Sequence, residues 1–394
     1  MIARFRTTFC LLFLVGLAQV AVGVGQGCGA DEPRLPTPVI EWADKDHFKD
    51  NNHPHDPLVL KDKVIVGTDK GDLIAFDCKD GVAIGTRHYG GRIFHHMSTD
   101  GARLYFTSAE GVRCADSDNG SLIWNLDLPH CDGPILASAK QELVYVGWND
   151  GHLYAFDARS GKERWRSDFL ADAPPEPPKF AGKRARVGLS SARPSGLAID
   201  GDMLFLSVFD QSRVVAINAK NGKRLWSFQT GGWIFGSAVA SDKHVFIGSQ
   251  DDKFYCLEKR TGQKVWSFQT KGRIESGGTL DAQSVYFGSC DGHVYCLDQA
   301  DGKERWRFGA DKQNGRNTAI YSVPVLLKGS VYFAAGEGQV YALNQKSGKL
   351  QWKIRPSNQS EIYCSLATDE KALYLVTRPG NKGGEASLVA IGMK

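Results

Sequence analysis

The sequence predicts an all-β fold, an eight-bladed β-propeller of four-stranded blades. Three observations predict it: a hairpin pattern that occurs eight times, a spaced Gly-to-Trp turn that follows it, and two loose ends that complete each other. The first half of the hairpin is a β-branched and aromatic run closing in small residues. It occupies 64–68, 104–108, 144–148, 204–208, 245–249, 285–289, 331–335 and 373–377. Such runs, bounded by Gly and Asp, read as buried strands.

The second half follows a turn rich in Asp and Gly. It occupies 72–77, 152–157, 213–218, 253–258, 293–298, 339–344 and 387–392, with a degenerate copy at 112–116. Turns such as Asn149-Asp150-Gly151 supply residues that tolerate positive φ, so the two halves form a hairpin.

The third pattern is a Gly four residues after the acidic or amide end of the hairpin, then a Trp four residues later. The anchors Asp77, Asp116, Asp157, Asn218, Glu258, Asp298 and Asn344 stand 39, 41, 61, 40, 40 and 46 residues apart. They lead to Trp124, Trp165, Trp226, Trp266, Trp306 and Trp352, whereas the first copy has Gly85 where the Trp belongs. These Trp are expected to hold neighbouring blades together and not to bind a ligand. The eighth copy has no Trp behind it. Near the other end, residues 39–42 form an orphan strand carrying Trp42. If that strand completes the last blade, the ring closes and no sheet edge is left open between the two ends.

Outside the repeats, Arg4 and Arg6 precede an apolar run from Phe9 to Leu17, then small residues to Gly27. Charged start, short apolar centre and small-residue exit make 1–27 an expected secretory signal peptide. The run is short of the ~20 apolar residues that span a bilayer. Cys28 follows directly and could carry a lipid. The propeller is then expected over 36–394, interrupted by a basic, Pro-rich insertion at about 169–190. Net charge is +4 with no clustered basic face, which gives no case for nucleic-acid binding. Of nine cysteines, Cys10 lies in the leader. Cys114, Cys256 and Cys296 take a hairpin position that is Ala75, Ala155, Ala216 or Ala342 elsewhere, so they read as small buried residues and few or no disulfides are expected.

The stretch 155–165, running from Ala155 through Asp157 and Gly161 to Trp165, resembles the tryptophan-docking motif of pyrroloquinoline-quinone (PQQ)-type propellers. The resemblance covers about residues 38 to 394. Within that group the chain is similar to the outer-membrane protein assembly factor BamB family. This implies an exported, monomeric adaptor that docks proteins or peptides in the periplasm or cell envelope, without a cofactor. Membrane association would come only through a lipidated Cys28 or a partner. The alternatives are a quinoprotein dehydrogenase holding PQQ and Ca²⁺, or a propeller that binds a sugar or other small ligand. The dehydrogenases typically carry an adjacent Cys-Cys pair, which this sequence lacks.

Propellers bind at one end of the central channel. Residues leading into each innermost strand are therefore the candidate site: Arg92, His95 and His96, Arg193, Trp233, Arg273 and Glu275, Tyr321, and Tyr363. The mixture of aromatic, basic and acidic groups suits a polar ligand or a peptide. His53 and His55 precede one innermost strand, and His95 and His96 belong to the next, but no ligand spacing is enforced and no metal site is expected. No catalytic set is assigned.

Overall fold

The computed structural model describes residues 38–49, 52–128, 132–171, 192–312, 315, 317–357, 360–379 and 385–393. The expected leader at 1–27, Cys28, and most of the insertion lie outside the described residues.

Eight antiparallel sheets follow one another along the chain. Blade one spans 58–88, blade two 93–127, blade three 135–168 and blade four 194–229. Blade five spans 239–269, blade six 278–309 and blade seven 325–354. Blade eight takes three strands from 367–392 and its outermost strand, Val39–Asp44, from the other end of the described chain. In that closure Trp42 lies opposite Ala390, and the ring is complete. The first strands of consecutive blades approach one another around the axis, so they line the channel.

The core is divided among the seams. Each sheet turns its apolar side chains toward the sheets beside it, and the buried clusters join residues of neighbouring blades. Blades seven, eight and one share one larger cluster, which covers the closure. Cys78, Cys114, Cys256, Cys290, Cys296 and Cys364 are free thiols. Cys114, Cys256 and Cys296 lie opposite Trp124, Trp266 and Trp306, where a small residue leaves room for the indole.

Trp42, Trp124, Trp165, Trp226, Trp266 and Trp306 make the same three contacts, whereas Trp352 makes the first two and no Gly among the described residues faces its ring. Opposite each of the six on the hairpin lies a small residue, as Cys296 does for Trp306. Beside it lies an aromatic of the second strand, with centroids 5.8 Å apart for Tyr286 and Trp306. Across the seam its ring covers the Gly of the next blade's turn. A Cβ at Gly348 would come within 2.6 Å of the Trp306 ring, and φ there is +67°. Both facts demand Gly. The Trp306 Nε1 also donates to the Gln345 carbonyl at 3.0 Å. Trp42, Trp124, Trp226 and Trp266 make the equivalent bond at 3.2, 3.1, 2.9 and 3.0 Å. Trp165 differs: its Nε1 has no partner, and the Tyr145 hydroxyl takes the Ala219 carbonyl instead at 3.0 Å.

Trp306→Ala removes a ring, a hydrogen bond and the cover of a turn at once. It should cost about 3–5 kcal/mol in urea unfolding, the usual penalty for truncating a large aromatic in a packed site. An unchanged midpoint would show that the seam does not depend on the indole.

Candidate functional site

The channel mouth is built largely from one short motif that recurs at five of the eight blades. Before an innermost strand stands an isoleucine: Ile93, Ile234, Ile274, Ile320 or Ile362, all at most 1% exposed. Each is driven into the seam by its own apolar surface. The preceding blade makes room by ending its second strand in Gly. A Cβ at Gly67, Gly248 or Gly288 would lie 2.5, 2.2 or 2.5 Å from the Ile93, Ile274 or Ile320 side chain. The residue before the isoleucine is fixed through its backbone. Carbonyls of Arg92, Trp233, Arg273 and Ala319 accept from the amides of Ala109, Gln250, Cys290 and Gly336 at 2.8–2.9 Å. With the isoleucine buried, its two neighbours are left at the mouth, which is how Arg92, Trp233, Arg273, Glu275, Tyr321 and Tyr363 come to ring one opening.

These residues fall into three groups. In the first, Tyr321 and Tyr363 face each other with ring centroids 5.5 Å apart. The Tyr363 hydroxyl donates to the Glu361 carboxylate. Glu275 accepts from Gln250 Nε2 at 2.6 Å and lies 3.5 Å from Arg273 Nη1. Cys290 sits behind them, and burial pushes its thiol up to about 12, so it is no nucleophile at neutral pH.

In the second group Phe209 lies 4.8 Å from Trp233 and 4.5 Å from Phe235, centroid to centroid. Phe235 remains 40% exposed. Arg193 leads into the adjacent innermost strand and is fixed by its backbone: its amide donates to Asp210 at 3.0 Å and its carbonyl accepts from Phe209 at 2.8 Å.

The third group ties the closure together. Asp69 receives Arg92 Nε at 2.7 Å and His55 Nε2 at 3.0 Å. Arg378 Nη2 lies 3.1 Å from His55 Nδ1 and donates to the Pro54 carbonyl at 3.2 Å. A guanidinium can only donate, so Nδ1 must hold the lone pair and Nε2 the proton. His55 is therefore a neutral linker between blade eight and blade one. Burial, with Arg378 and Arg92 adding to it, pushes its pKa down to about 3. Asp56 is pushed the other way, up to about 7, by burial, with Arg378 opposing.

His53 lies near enough to His55 for its charge to lower the His55 pKa further. His55 is engaged by Asp69 and Arg378, whereas the charge felt by His96 is that of Asp132 and burial lowers its pKa. The His95 side chain lies outside the described residues, although its backbone is part of the Ile93–Thr99 strand. Among the described residues no group of three or more His, Cys, Asp or Glu is placed to hold a metal ion. Sequence reasoning did not single out Asp69, Arg378, Asp56, Phe209 or Phe235. Phe235 had a local signal, since it follows its isoleucine as Phe94, Tyr321 and Tyr363 follow theirs. Arg378 had none, because its partners lie more than 300 residues away in the chain.

A closed ring of eight four-stranded blades, joined by Trp-on-Gly docking turns around a polar mouth, defines a PQQ-type propeller. The chain belongs to the family described as outer membrane protein assembly factor BamB, whose profile matches residues 108–232 and 210–373. It is 23% identical over 219 residues to the outer membrane protein assembly factor BamB of Burkholderia pseudomallei, covering 52% of this chain and 53% of that one. It is 30% identical over 146 residues to the quinohemoprotein alcohol dehydrogenase ADH IIB of Pseudomonas putida, but that match covers 37% of this chain and 20% of the enzyme. The chain thus spans from a fifth to about half of the length of these relatives. The crystal structure of BamB from Moraxella catarrhalis superposes with a TM-score of 0.66 at 16% identity, over 90% of this chain and all of that one, which shows the shared fold.

The dehydrogenase relatives raise the question of a calcium-held quinone. The carboxylates at the mouth do not form such a donor set. Asp69 is neutralised by Arg92, Glu275 is held by Gln250 and Arg273, and Glu361 is bonded by Tyr363. Each is engaged by its own partner, although Glu275 and Glu361 both lie near Tyr321. The residues present do not fit that cofactor, and no chemical step follows from it.

The opposed shifts of His55 and Asp56 predict a pH signature. The neutral Asp56 contributes stability at low pH, lost as pH rises from the ordinary 3.8 through about 7. The neutral His55 contributes stability above its ordinary 6.5, lost as pH falls toward about 3. Between roughly pH 4 and 6.5 the two slopes oppose each other. Asp56→Asn deletes one of them. Its urea midpoint should rise with pH across that window and gain on the wild type up to about pH 7. Parallel pH curves for the two proteins would show that Asp56 is ionised like an exposed carboxylate.

Proposed function

We propose that this chain is a non-catalytic scaffold of the cell envelope, whose channel mouth docks protein or peptide partners engaged in outer-membrane protein assembly. Membership of the BamB family supports the assembly role. The leader expected at 1–27 supports export to the periplasm, with Cys28 as the place a lipid would be attached. The observation that carries the reading is the character of the mouth. Its charges are spent on one another at the base, while Phe235, Tyr363 and the Arg273 guanidinium remain exposed above them, at 40%, 50% and 56%. Aromatic and Arg groups on a rigid rim are the usual anchors of protein recognition. A preorganised ring also limits the ordering cost of binding. Each partner contact would come from a different blade, so the chain would act as one monomeric platform.

A second reading, a quinoprotein dehydrogenase, is favoured by the 30% identity to ADH IIB over 146 residues. The paired carboxylates at the mouth weigh against it.

Two measurements separate these readings. Purified outer-membrane assembly components should bind the immobilised chain, and Phe235→Ala should weaken that binding roughly 30-fold, the ~2 kcal/mol expected of an aromatic anchor. Melting should change little, because the ring is already at the surface. Arg273→Ala should act in the same direction. Arg92→Ala is a poorer probe, since Arg92 neutralises Asp69 at the ring closure. Equal binding by all variants would remove the mouth as the docking surface. Calorimetry with PQQ and Ca²⁺ tests the alternative: tight, calcium-dependent heat would make the mouth an active site.

A further inference from the structure

Blade one departs from the repeat at two coupled positions. Gly85 stands where a Trp belongs, and Ile65 stands where the second strand of the other blades carries the Tyr or Phe that leans on that Trp. The rest of the docking apparatus is intact. Gly85 pairs with Ala75 in the same register, with the same bulge, as Trp165 pairs with Ala155. The receiving turn on blade two keeps its form: Gly120 has φ +70°, against +69° to +72° at Gly161, Gly222 and Gly262. Its amide donates to the Asp116 carbonyl at 2.9 Å, as at the other turns. The seam has kept its glycine turn but not its indole: a Cβ at Gly120 would meet Arg87 Cγ at 3.1 Å and the Tyr89 hydroxyl at 3.6 Å, so these two side chains partly cover the turn, and an incoming ring would displace Arg87.

What remains there is partly open. A Cβ built at Gly85 meets nothing within 4 Å. The outer strand Ala83–His88 is exposed at every position after the first, whereas the other outer strands carry a covered Trp. The buried cluster of this seam holds no Trp; Tyr89 packs at its edge instead, 4.9 Å from Phe106. The Tyr89 hydroxyl donates to the Gly120 carbonyl, and Arg87 reaches the Asn119 carbonyl through long contacts of 3.4 Å. Beside them lies a cavity of about 480 Å³, lined by Arg87, His88, Tyr89, Arg113, Leu122 and Asn125 among others. Val82, Ile84, Leu122 and Ile123 on its two flanks are 45–58% exposed. Arg113 is paired with Glu110 and Asp127, but Arg87 pairs with no carboxylate among the described residues.

We propose that the seam between blades one and two is a second binding site, a notch that accepts an aromatic side chain, indole above all, from an acidic extended segment of a partner polypeptide laid along Ala83–His88. The molecule itself specifies the occupant. Six of its other seams place an indole on the same Gly turn, and the strand that does so at the closure, Val39–Asp44, carries Glu41 and Asp44 around Trp42. An outer strand offers unpaired backbone groups to a further strand, so the partner's main chain and its ring are recognised together. Arg87 supplies the charge complement to the acidic flanks. This site lies on the outer rim, and it does not depend on the reading of the mouth.

The test uses two probes on the full chain, N-acetyl-tryptophanamide and a synthetic hexapeptide copying residues 39–44. NMR titration should show saturable shifts at the amides of Gly85, Arg87 and Gly120, with a dissociation constant on the order of 1 mM. The same peptide with Ala in place of its Trp should not bind. Gly85→Trp fills the notch from within: it should abolish both titrations and raise the melting temperature. Should that variant fail to fold, Leu122→Glu at the exposed flank should weaken both probes. Arg87→Glu should weaken the hexapeptide at least tenfold and the uncharged amide much less. Absence of binding to the wild type overturns the proposal, as do shifts confined to blade eight or binding that persists in Gly85→Trp. Equal loss of both probes in Arg87→Glu overturns the acidic partner.

Discussion

A four-stranded blade cannot bury its own apolar faces; it needs a neighbour on each side, and the indole lying on a glycine turn is what fixes one neighbour against the next. Everything else in the ring is arranged around that contact. The turn must be Gly because its φ is positive and because the ring occupies the space a Cβ would need. The hairpin residue opposite must be small, which explains why Ala and Cys alternate freely at 75, 114, 155, 216, 256, 296 and 342. At five seams the Nε1 bond to the next blade's carbonyl adds a polar tie to the same contact. Stability becomes a sum over seams, as in other repeat architectures.

That dependence is why the fold was legible in the sequence. Gly and Trp at fixed spacing leave a periodic trace that survives divergence elsewhere, and the orphan strand at Trp42 could be matched to the eighth hairpin by its missing partner alone. The pairing of Trp42 with Ala390 repeats the pairing inside every blade that carries its own Trp. The leader expected at 1–27 and the body of the insertion leave no such trace, since neither carries the repeat's pattern.

The site was legible only in part. The lead-in residues Arg92, Trp233, Arg273, Glu275, Tyr321 and Tyr363 could be found because each flanks an isoleucine between one blade's outer strand and the next blade's innermost strand. Their grouping could not. Whether Arg92 stands open or neutralises Asp69 depends on a side chain in the blade before it, and His55 meets Arg378 only because the ring closes. His55 meets Asp69 and Arg378 while His96 feels Asp132, and neither pairing follows from the spacing of the histidines. Local spacing can specify which residues reach the mouth; it cannot specify which of them consume one another's charge.

This division also explains how one fold serves both scaffolds and enzymes. The buried isoleucines and the glycines that receive them fix the height and direction of the mouth residues, but place no demand on what flanks the isoleucine. Arg, Glu, Tyr, Phe and Trp all occupy those flanks here without disturbing the seam. Function can therefore change at the flanks while the docking turns stay constant, and similarity in the repeats carries little information about the mouth. The reverse holds at the outer rim. There the docking turn itself is the variable element: blade one has lost its Trp while blade two keeps the glycine turn, and Arg87 and Tyr89 lie over that turn in the indole's place. The proposed preference for a planar aromatic group rests on the form of that turn, which the fold repeats, whereas the charge beside it, at Arg87, is particular to this chain.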